Sequence, residues 1–315
     1  MGRILATGPL APPAPEILGP HGELVVAPDD RESTLLGLAA EAVALVVRGS
    51  VPITARLIAA APSLRVIARS GVGYESIDVG AASARGIPVV ITPDAGAQAV
   101  AEGAIALMLS LTKRLGALDA AVREGRYAER DRLEVGDLDG ATLGVVGLGR
   151  IGRKVSALGR AFGMRVLAHD PVASPDDGVE MTDLDTLFSR AGLVSLHAPL
   201  TDATHGLVDE RLLALMGPDA VLVNLARGGL IASLDDLLTA LNSGRLAGVG
   251  LDVFEPEPPD VSHPLFADPR VLLSPHVLGM SHQAKRRIFR AMSEGIVAAL
   301  RGERPEAVAN PEIYV

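Results

Sequence analysis

The first third of the chain alternates short apolar runs with longer stretches in which apolar and polar residues recur at helical spacing. Strands that alternate with helices in this way are typical of βαβ units, so the pattern predicts a parallel sheet. The proline-rich stretch 9–20 interrupts the pattern and is expected to be a surface loop with a short helix. The predicted strands cover residues 4–6, 24–26, 44–47, 65–68 and 88–91, and the predicted helices cover 31–40, 52–61 and 78–86.

One apolar stripe then runs through residues 104–122 at alternating spacings of four and three. That spacing places every apolar residue on one face, which predicts a single helix of roughly 25 residues that bridges two domains. A coiled coil is the alternative interpretation, and the lack of alternating flanking charges disfavours it. The stripe consists of Ala104, Met108, Leu111, Leu115, Leu118 and Val122.

A second series of apolar runs and helical stretches follows, which predicts a second parallel sheet. The amphipathic stretch 281–301 is expected to be a helix that returns to the first domain. The expected domains are therefore residues 1–97 plus 284–315, and residues 98–283. The predicted strands begin at 142 and continue at 165–169, 193–197, 220–226, 248–254 and 271–275, with helices near 150–162, 183–190, 208–215 and 233–243.

Composition narrows the possible partners and chemistry. The formal net charge of −9 and the pI of about 5.3 disfavour nucleic acid and anionic membranes as partners. Because the chain has no cysteine, disulfides, thiolate metal sites and a cysteine nucleophile are excluded, and no metal is expected. No long apolar segment opens the chain or interrupts it, so a cytoplasmic protein is expected.

Three polar residues each follow a strand-like run in the last third of the chain. Arg227 follows residues 221–226, Glu257 follows the run that ends at 254, and His276 ends the run that begins at 271. Ligands of open α/β sheets bind beyond the carboxyl ends of the strands, so these side chains are expected to meet at one crevice. A cation for an anionic substrate beside a carboxylate–histidine pair for proton transfer indicates a redox or carbonyl-chemistry site.

A glycine-rich turn lies between a predicted strand and a predicted helix. Gly147, Gly149 and Gly152 form the pattern GxGxxG, which binds dinucleotides when a strand precedes it and a helix follows it. The free N–H groups and the positive end of the helix dipole would hold a pyrophosphate there. Asp170 ends the next strand, 18 residues after Gly152, and the following segment adds two acids but no basic residue. A carboxylate at that place binds ribose hydroxyls and repels a 2′-phosphate, so NAD is expected rather than NADP.

These segments resemble the D-isomer-specific 2-hydroxyacid dehydrogenases, the group of phosphoglycerate dehydrogenase and hydroxypyruvate/glyoxylate reductase. The resemblance implies a flavodoxin-like substrate domain and a Rossmann nucleotide domain, with the active site in the cleft between them. It also implies a homodimer formed through the nucleotide domain, with no further regulatory domain. The matching segments are RSGVGYESID (69–78), GLGRIG (147–152), HAPLTDATHG (197–206), NLARGGLI (224–231), LDVFEPEP (251–258) and SPHVLG (274–279).

The resemblance assigns roles to residues. Arg227 would hold the substrate carboxylate and carbonyl, and Glu257 and His276 would transfer the proton. Arg48 and Arg69 align with substrate-facing positions; a second anionic group such as a phosphate and an ordinary surface role are both open. Asp252 would contact the nicotinamide end or serve as a buried structural carboxylate. Backbone N–H groups for the substrate carboxylate are assigned to Gly71, Val72 and Gly73, and cofactor contacts to Gly147, Gly149, Arg150, Ile151, Gly152, Asp170, Ala198, Leu225 and Asp252.

Some positions depart from the family pattern. Gly96 and Ala97 stand where an Asn and a Ser are common, so a polar substrate contact is expected to be missing. Leu278 and Met280 replace smaller residues and are expected to reshape the pocket. The resulting prediction is an NAD-dependent dehydrogenase of a small D-2-hydroxy or 2-keto acid, with 3-phosphoglycerate, hydroxypyruvate and glyoxylate as candidates. The alternative is an NAD-sensing corepressor-like binding protein on the same scaffold.

Overall fold

The computed structural model describes residues 2–132 and 134–315 and divides into two compact units. The first unit comprises the described residues up to Gly96 together with Met280–Val315, and the second comprises Ala97–Gly279. Each unit has its own parallel sheet and its own buried cores. This confirms the predicted fold class of two doubly wound α/β domains.

The first unit is built on a five-stranded parallel sheet in the flavodoxin-like order β2-β1-β3-β4-β5. The helices that follow its strands begin at side-chain caps where the sequence supplies them: Thr54 and Asp78 accept N–H groups of α3 and α4. The strands are β1 (Arg3–Ala6), β2 (Glu23–Val26), β3 (Ala42–Val47), β4 (Val66–Arg69) and β5 (Val89–Val90), and the helices are α1 (Ala14–Leu18), α2 (Glu32–Ala39), α3 (Ala55–Ala59) and α4 (Val79–Ala84).

The second unit is built on a seven-stranded parallel sheet in the order β12-β11-β10-β9-β6-β7-β8. The order reverses between β6 and β9, which is the topological switch point where such sheets bind ligands. The helices are α5 (Ala97–Thr112), α6 (Leu115–Arg123), α7 (Arg150–Ala161), α8 (Leu184–Arg190), α9 (Glu210–Leu215) and α10 (Leu234–Asn242), and the strands are β6 (Thr142–Val146), β7 (Arg165–His169), β8 (Val179–Met181), β9 (Leu193–Leu196), β10 (Ala220–Asn224), β11 (Leu246–Leu251) and β12 (Val271–Leu273).

The chain then returns to the first unit through α11 (His282–Leu300). Neighbouring residues of the buried strand β1 belong to different cores: Leu5 packs with the cluster that contains Leu57 and Ile58, whereas Ile4 packs with Phe289 of α11. Alternation with period two therefore gives the sheet two apolar faces, each covered by helices. No helix within residues 2–132 and 134–315 has the length and apolar character needed to cross a membrane.

The prediction of one long helix through residues 104–122 is wrong, because α5 ends at Thr112 and α6 begins at Leu115. Arg114 between them has φ 50°, a left-handed conformation that stops an α-helix. The carbonyl of Thr112 accepts the N–H of Gly136, and Lys113 pairs with Asp137, so a later segment ends the helix. The predicted apolar stripe is not buried beyond this break, because Leu115 is 50% exposed and Val122 is 61% exposed.

Candidate active site

The glycine turn after β6 lies at the switch point of the second sheet. Gly147 has φ 95°, and a Cβ there would stand 2.5 Å from the backbone N of Ala198, in the turn after β9. A Cβ on Gly152 would collide with the carbonyl oxygen of Gly147, whereas a Cβ on Gly149 would meet no atom within 4 Å. The first and third glycines thus permit close packing, and the second leaves open space before the N-terminus of α7. This cradle fits a dinucleotide pyrophosphate.

Asp170 joins the end of β7 to the glycine turn. Its carboxylate accepts the N–H groups of Leu148 at 2.8 Å, Val172 at 2.9 Å and Ala173 at 2.8 Å. Burial alone would raise the pKa of this carboxyl, but the three backbone donors outweigh it and hold the pKa below its usual value. Asp170 is therefore an anion beside the cradle, as binding to ribose hydroxyls requires.

Arg153 lies near this site and was not among the cofactor contacts predicted from the sequence. It lies on the first turn of α7 and reaches the segment after β7, where its Nη2 donates to the carbonyl of Ser174 at 2.9 Å. Its Nη1 lies 3.5 Å from Asp176 Oδ2. The segment after Asp170 contains no basic residue of its own, but Arg153 of α7 brings a positive charge to it. The Asp176 carboxylate offsets that charge.

The turn after β10 carries Arg227. Asn224, which is fully buried at the end of β10, donates from its amide to the carbonyl of Arg227 at 2.8 Å and accepts the N–H of Ala226 at 3.0 Å. A Cβ on Gly228 would collide with the backbone of Phe254, and one on Gly229 would collide with the Glu255 carboxylate. Gly228 is thus required because the backbone of the loop after β11 packs directly on this turn, whereas the Glu255 side chain beside Gly229 can move.

Glu257 and His276 form a hydrogen-bonded pair. Nδ1 of His276 lies 2.9 Å from Glu257 Oε2, and because a carboxylate can only accept, Nδ1–H is the donor. The other carboxylate oxygen accepts the N–H of Phe254 at 3.1 Å, which fixes the orientation of Glu257. The His276 side chain is 50% exposed and that of Glu257 27%. This leaves Nε2 of His276 as the ring nitrogen that can exchange a proton with a ligand.

His276 occupies an unusual backbone conformation, with φ 51°. For a residue with a side chain this left-handed conformation costs on the order of 1 kcal/mol, so the surrounding turn must hold it. Asp252, which is 2% exposed, accepts the hydroxyl of Ser274 at 2.7 Å and the N–H of Val277 at 3.0 Å, on either side of His276. These bonds tie Asp252 to the turn, and its predicted contact with the nicotinamide end stays a prediction.

In the first unit, Arg48 and Arg69 are both engaged with their own unit. The Arg48 guanidinium stacks 5.1 Å from the Phe289 ring centroid and donates to the carbonyl of Pro9, and burial lowers the pKa of Arg48. Arg69 donates from Nε to the carbonyl of Gly73 at 2.9 Å and from Nη1 to the carbonyl of Val47 at 3.3 Å. None of these contacts tests the predicted role of Arg48 and Arg69 in substrate binding, which stays a prediction.

The loop 71–73 has the composition of an anion-binding turn. The carbonyls of Gly71 and Gly73 accept from Thr92 and Arg69 respectively. The N–H groups of Gly71, Val72 and Gly73 donate to no backbone carbonyl of the described residues. Successive N–H groups that no backbone carbonyl occupies are suited to a carboxylate, and the assignment of this loop to the substrate stays a prediction.

Leu225 and Leu278 pack against α5. A Cβ placed on Gly103 would stand 2.8 Å from Leu278 Cβ and 3.1 Å from Leu225 Cδ2. Leu278 is partly buried and packs against a core of the second unit, while Met280 is partly buried and packs against a core of the first. The expectation that the two residues reshape a substrate pocket stays a prediction. The lack of a side chain on Gly103 makes the room for Leu278. Of the remaining predicted cofactor contacts, Ala198 is buried, Ile151 is partly buried and Arg150 is exposed.

Three further histidines have local partners. His197 Nε2 lies 2.8 Å from Ser195 Oγ, and burial lowers the pKa of His197 to about 4. His263 accepts the N–H of Leu265 and contacts Asp235 at 3.0 Å, while His205 lies 3.8 Å from Glu255. These contacts show local structural roles for the three rings. Among residues 2–132 and 134–315, no three His, Asp or Glu side chains are grouped so as to hold a metal ion.

Comparison with known proteins gives a consistent result. The family model described as D-isomer specific 2-hydroxyacid dehydrogenase, NAD binding domain, matches residues 105–277. The D-3-phosphoglycerate dehydrogenase of Mycobacterium tuberculosis is 39% identical over 312 residues, which are 97% of this chain and 58% of that protein. The hydroxypyruvate reductase of Thermotoga maritima is 37% identical over 302 residues, which are 95% of this chain and 98% of that protein. The chain thus spans under two thirds of the length of the phosphoglycerate dehydrogenase.

Solved structures agree with the sequence relatives. The TT0316 protein of Thermus thermophilus superposes with a TM-score of 0.91 and 35% identity, over 98% of this chain and 99% of that one. D-lactate dehydrogenase of Aquifex aeolicus, solved with NAD and lactic acid, has a TM-score of 0.85 and 28% identity, over 96% of each chain. A family model that matches more than half of the chain, and relatives above 35% identity along nearly all of it, lead to one assignment: this chain belongs to the D-isomer-specific 2-hydroxyacid dehydrogenases, and its second unit is their NAD-binding domain.

Proposed function

We propose that this chain is an NAD-dependent dehydrogenase that interconverts a small 2-keto acid and the corresponding D-2-hydroxy acid. The observation that carries the proposal is the 2.9 Å hydrogen bond from His276 Nδ1 to Glu257. It orients the imidazole, leaves Nε2 for the substrate and places a negative charge behind the ring. A positioned acid–base group of this kind is what reduction of a carbonyl requires.

Proton transfer follows from this arrangement. When bound in the glycine cradle, NADH would supply the hydride to the carbonyl carbon. As the C–H bond forms, the carbonyl π electrons move to oxygen, and His276 donates the Nε2 proton to that oxygen to complete the hydroxyl. The Glu257 carboxylate accepts the Nδ1–H of the ring and so keeps Nε2 directed away from Glu257 during the transfer. In the oxidation direction His276 accepts the hydroxyl proton.

Arg227 is proposed to bind the substrate carboxylate and polarise the carbonyl. A guanidinium presents two parallel N–H groups to a carboxylate, which a lysine ammonium does not reproduce. Asn224 and the glycines after Arg227 fix the backbone from which that side chain extends. Arg227→Lys is therefore expected to lower kcat/KM for 2-keto acids at least tenfold while NADH affinity stays unchanged.

Hydroxypyruvate and glyoxylate are proposed as better substrates than phosphorylated acids. The predicted cations for a phosphate, Arg48 and Arg69, already donate to carbonyls of their own unit, and Arg48 also stacks on Phe289. These contacts use some of the five N–H donors of each guanidinium and fix its position, so fewer donors are left for a phosphate. We expect kcat/KM for hydroxypyruvate or glyoxylate to exceed that for 3-phosphohydroxypyruvate, and the reverse order would contradict this proposal.

NAD is proposed as the preferred cofactor. Asp170 is held as an anion beside the glycine cradle, where it would repel a 2′-phosphate, and Asp176 offsets the charge of Arg153. We expect NADH to support turnover at least tenfold better than NADPH, about 1.4 kcal/mol of discrimination. Equal efficiency with both cofactors would contradict this role of Asp170. Of the related structures, one contains NAD and another is an NADPH-dependent glyoxylate/hydroxypyruvate reductase, so the family name alone does not decide the preference.

A homodimer is proposed through the exposed face of α6 and the residues after it. Leu115, Val122, Tyr127 and Val135 are 50–63% exposed, and large apolar side chains so exposed in one stretch of chain are typical of a protein interface. Sedimentation analysis should find a dimer for the unmodified protein and a monomer for the Val122→Glu variant. Val261→Glu, at a still more exposed valine elsewhere in the second unit, is the control and should remain a dimer.

The activity is tested by NADH oxidation with a panel of 2-keto acids. His276→Gln should lower kcat by roughly 10²–10⁴ while NADH binding, followed by fluorescence, stays unchanged. Glu257→Gln should also lower kcat, because the imidazole loses the carboxylate that orients it. NADH binding without turnover of any 2-keto acid would instead favour the corepressor-like alternative. The relatives named as phosphoglycerate dehydrogenase, hydroxypyruvate reductase and glyoxylate reductase do not support that alternative.

A further inference from the structure

Asp252 lies where β11 ends and is almost fully buried, at 2% exposure. Its carboxylate is surrounded by the turn 274–278: Oδ1 accepts the Ser274 hydroxyl at 2.7 Å and the Val277 N–H at 3.0 Å, and Oδ2 accepts the Leu278 N–H at 3.2 Å. Three donors thus converge on one carboxylate from a single turn. That turn carries His276.

The turn needs this support because of its shape. His276 has φ 51°, and its own N–H donates to the carbonyl of Ser274 at 3.1 Å, so the chain reverses sharply at this residue. The residues on both sides of His276 are bonded to Asp252, and the N–H of Ser274 is bonded to the carbonyl of Leu251 in β11. The left-handed residue is therefore held between anchored neighbours.

The carboxylate has little capacity for a ligand. Two oxygens offer about four acceptor positions, and three are occupied within the turn. The remaining position belongs to a group that solvent scarcely reaches. A contact with the cofactor could use only that position, so most of the bonding capacity of this carboxylate serves the turn.

We infer that Asp252 is a positioning residue for His276: through Ser274 and the N–H groups of residues 277 and 278, it holds the backbone conformation that directs the imidazole to Glu257 and to the substrate. This inference rests on the proposed function for its kinetic consequences, although the geometry of the turn does not depend on it. Direct substitution of a buried carboxylate risks unfolding, so the test uses Ser274, the side-chain donor at the edge of the turn.

The experiment compares Ser274→Val with Ser274→Thr in the full chain. The two replacements have nearly the same shape, but threonine keeps the hydroxyl that donates to Asp252 and valine does not. Ser274→Val should lower kcat for 2-keto acid reduction roughly ten- to a hundredfold, since small displacements of a catalytic group have effects of that size. Ser274→Thr should retain most of the activity, and NADH affinity should be the same for both.

The same pair is then made in the His276→Gln background. If Ser274 and Asp252 act through His276, Ser274→Val should change the residual rate by less than about twofold there, because coupled residues are not additive. An equal loss in both backgrounds would overturn the inference and assign the loss to general disruption or to the cofactor. Full activity of Ser274→Val would overturn it too.

A spectroscopic measurement separates this inference from the proposed activity. The proton on His276 Nδ1, bonded to Glu257, should give a downfield NMR resonance that is absent in His276→Gln. Ser274→Val should shift or broaden it, and Ser274→Thr should preserve it. Absence of turnover with every 2-keto acid would refute the proposed function alone, whereas an unchanged resonance in Ser274→Val would refute the positioning role alone.

Discussion

His197 should make the second unit sensitive to mild acid. Burial lowers its pKa from the ordinary value of 6.5 to about 4 in the folded state. Between these two values the unfolded chain binds a proton that the folded chain does not, so stability is complete above pH 6.5 and is lost as pH falls towards 4. A shift of that size corresponds to about 3 kcal/mol at its limit, of which about 2 kcal/mol is lost between roughly pH 7.5 and pH 5.

The assay is urea denaturation at about pH 7.5 and about pH 5, with hydrogen exchange of peptides from β6 and β9 to report the second unit. His197→Gln places an amide near the position of Nε2, 2.8 Å from Ser195 Oγ, but cannot be protonated in this range. Between the higher and the lower pH, the free energy of unfolding should fall by about 2 kcal/mol less in His197→Gln than in the unmodified protein. This comparison holds whatever the substitution costs at the higher pH.

His282→Gln, at an exposed position that begins α11, is the matched control and should keep the unmodified pH dependence. Other acids and bases of the chain contribute equally to all three proteins, so the comparison isolates His197. If the unmodified protein and His197→Gln lose the same stability between the two pH values, burial does not hold the imidazole neutral and the reasoning is refuted.

Two substitutions test other features of the NAD-binding domain. Asp176→Asn should release Arg153 from its ion pair and raise kcat/KM with NADPH about five- to tenfold, which is about 1 kcal/mol. Asp177→Asn, at the neighbouring residue, should not raise it, and steady-state kinetics with both cofactors measures the difference. Gly228→Ala should destabilise the second unit by about 3 kcal/mol in denaturation experiments, because the added Cβ meets the backbone of Phe254. Gly217→Ala, whose Cβ would have no atom within 4 Å, should cost well under about 1 kcal/mol. Equal losses would contradict the packing argument.

Most of the fold followed from periodicity, and the reason lies in burial. Strands covered by helices on both faces read as continuous apolar runs, so β3, β6, β9 and β10 were visible in the sequence. The short edge strand β8, of three residues, has no such run and was missed. Local patterns therefore reported the centre of each sheet better than its edge.

The break between α5 and α6 was invisible for a different reason. The apolar spacing continues through Lys113 and Arg114, so the local sequence favours one helix. What ends the helix is the chain some twenty residues later, where Gly136 and Asp137 bond to its last turn. Arg153 was missed for the same reason, since its partner Asp176 lies on another element. Contacts between segments that are distant in sequence do not change the periodic pattern of apolar residues in either segment.

The site contains a regularity that sequence reasoning could have used. At three neighbouring strand ends, the first polar residue after the apolar run bonds to a turn. Asn224, Asp252 and Ser274 each stay at the strand end and bond to their own or the neighbouring turn. The predicted arginine, glutamate and histidine come two to five residues later, on the turns so shaped. A buried polar group must find partners, and at a strand end the nearest unpaired donors and acceptors are those of the turn itself. A polar residue that ends an apolar run is thus a sign of a shaped turn, and the chemistry is to be sought a few residues beyond it.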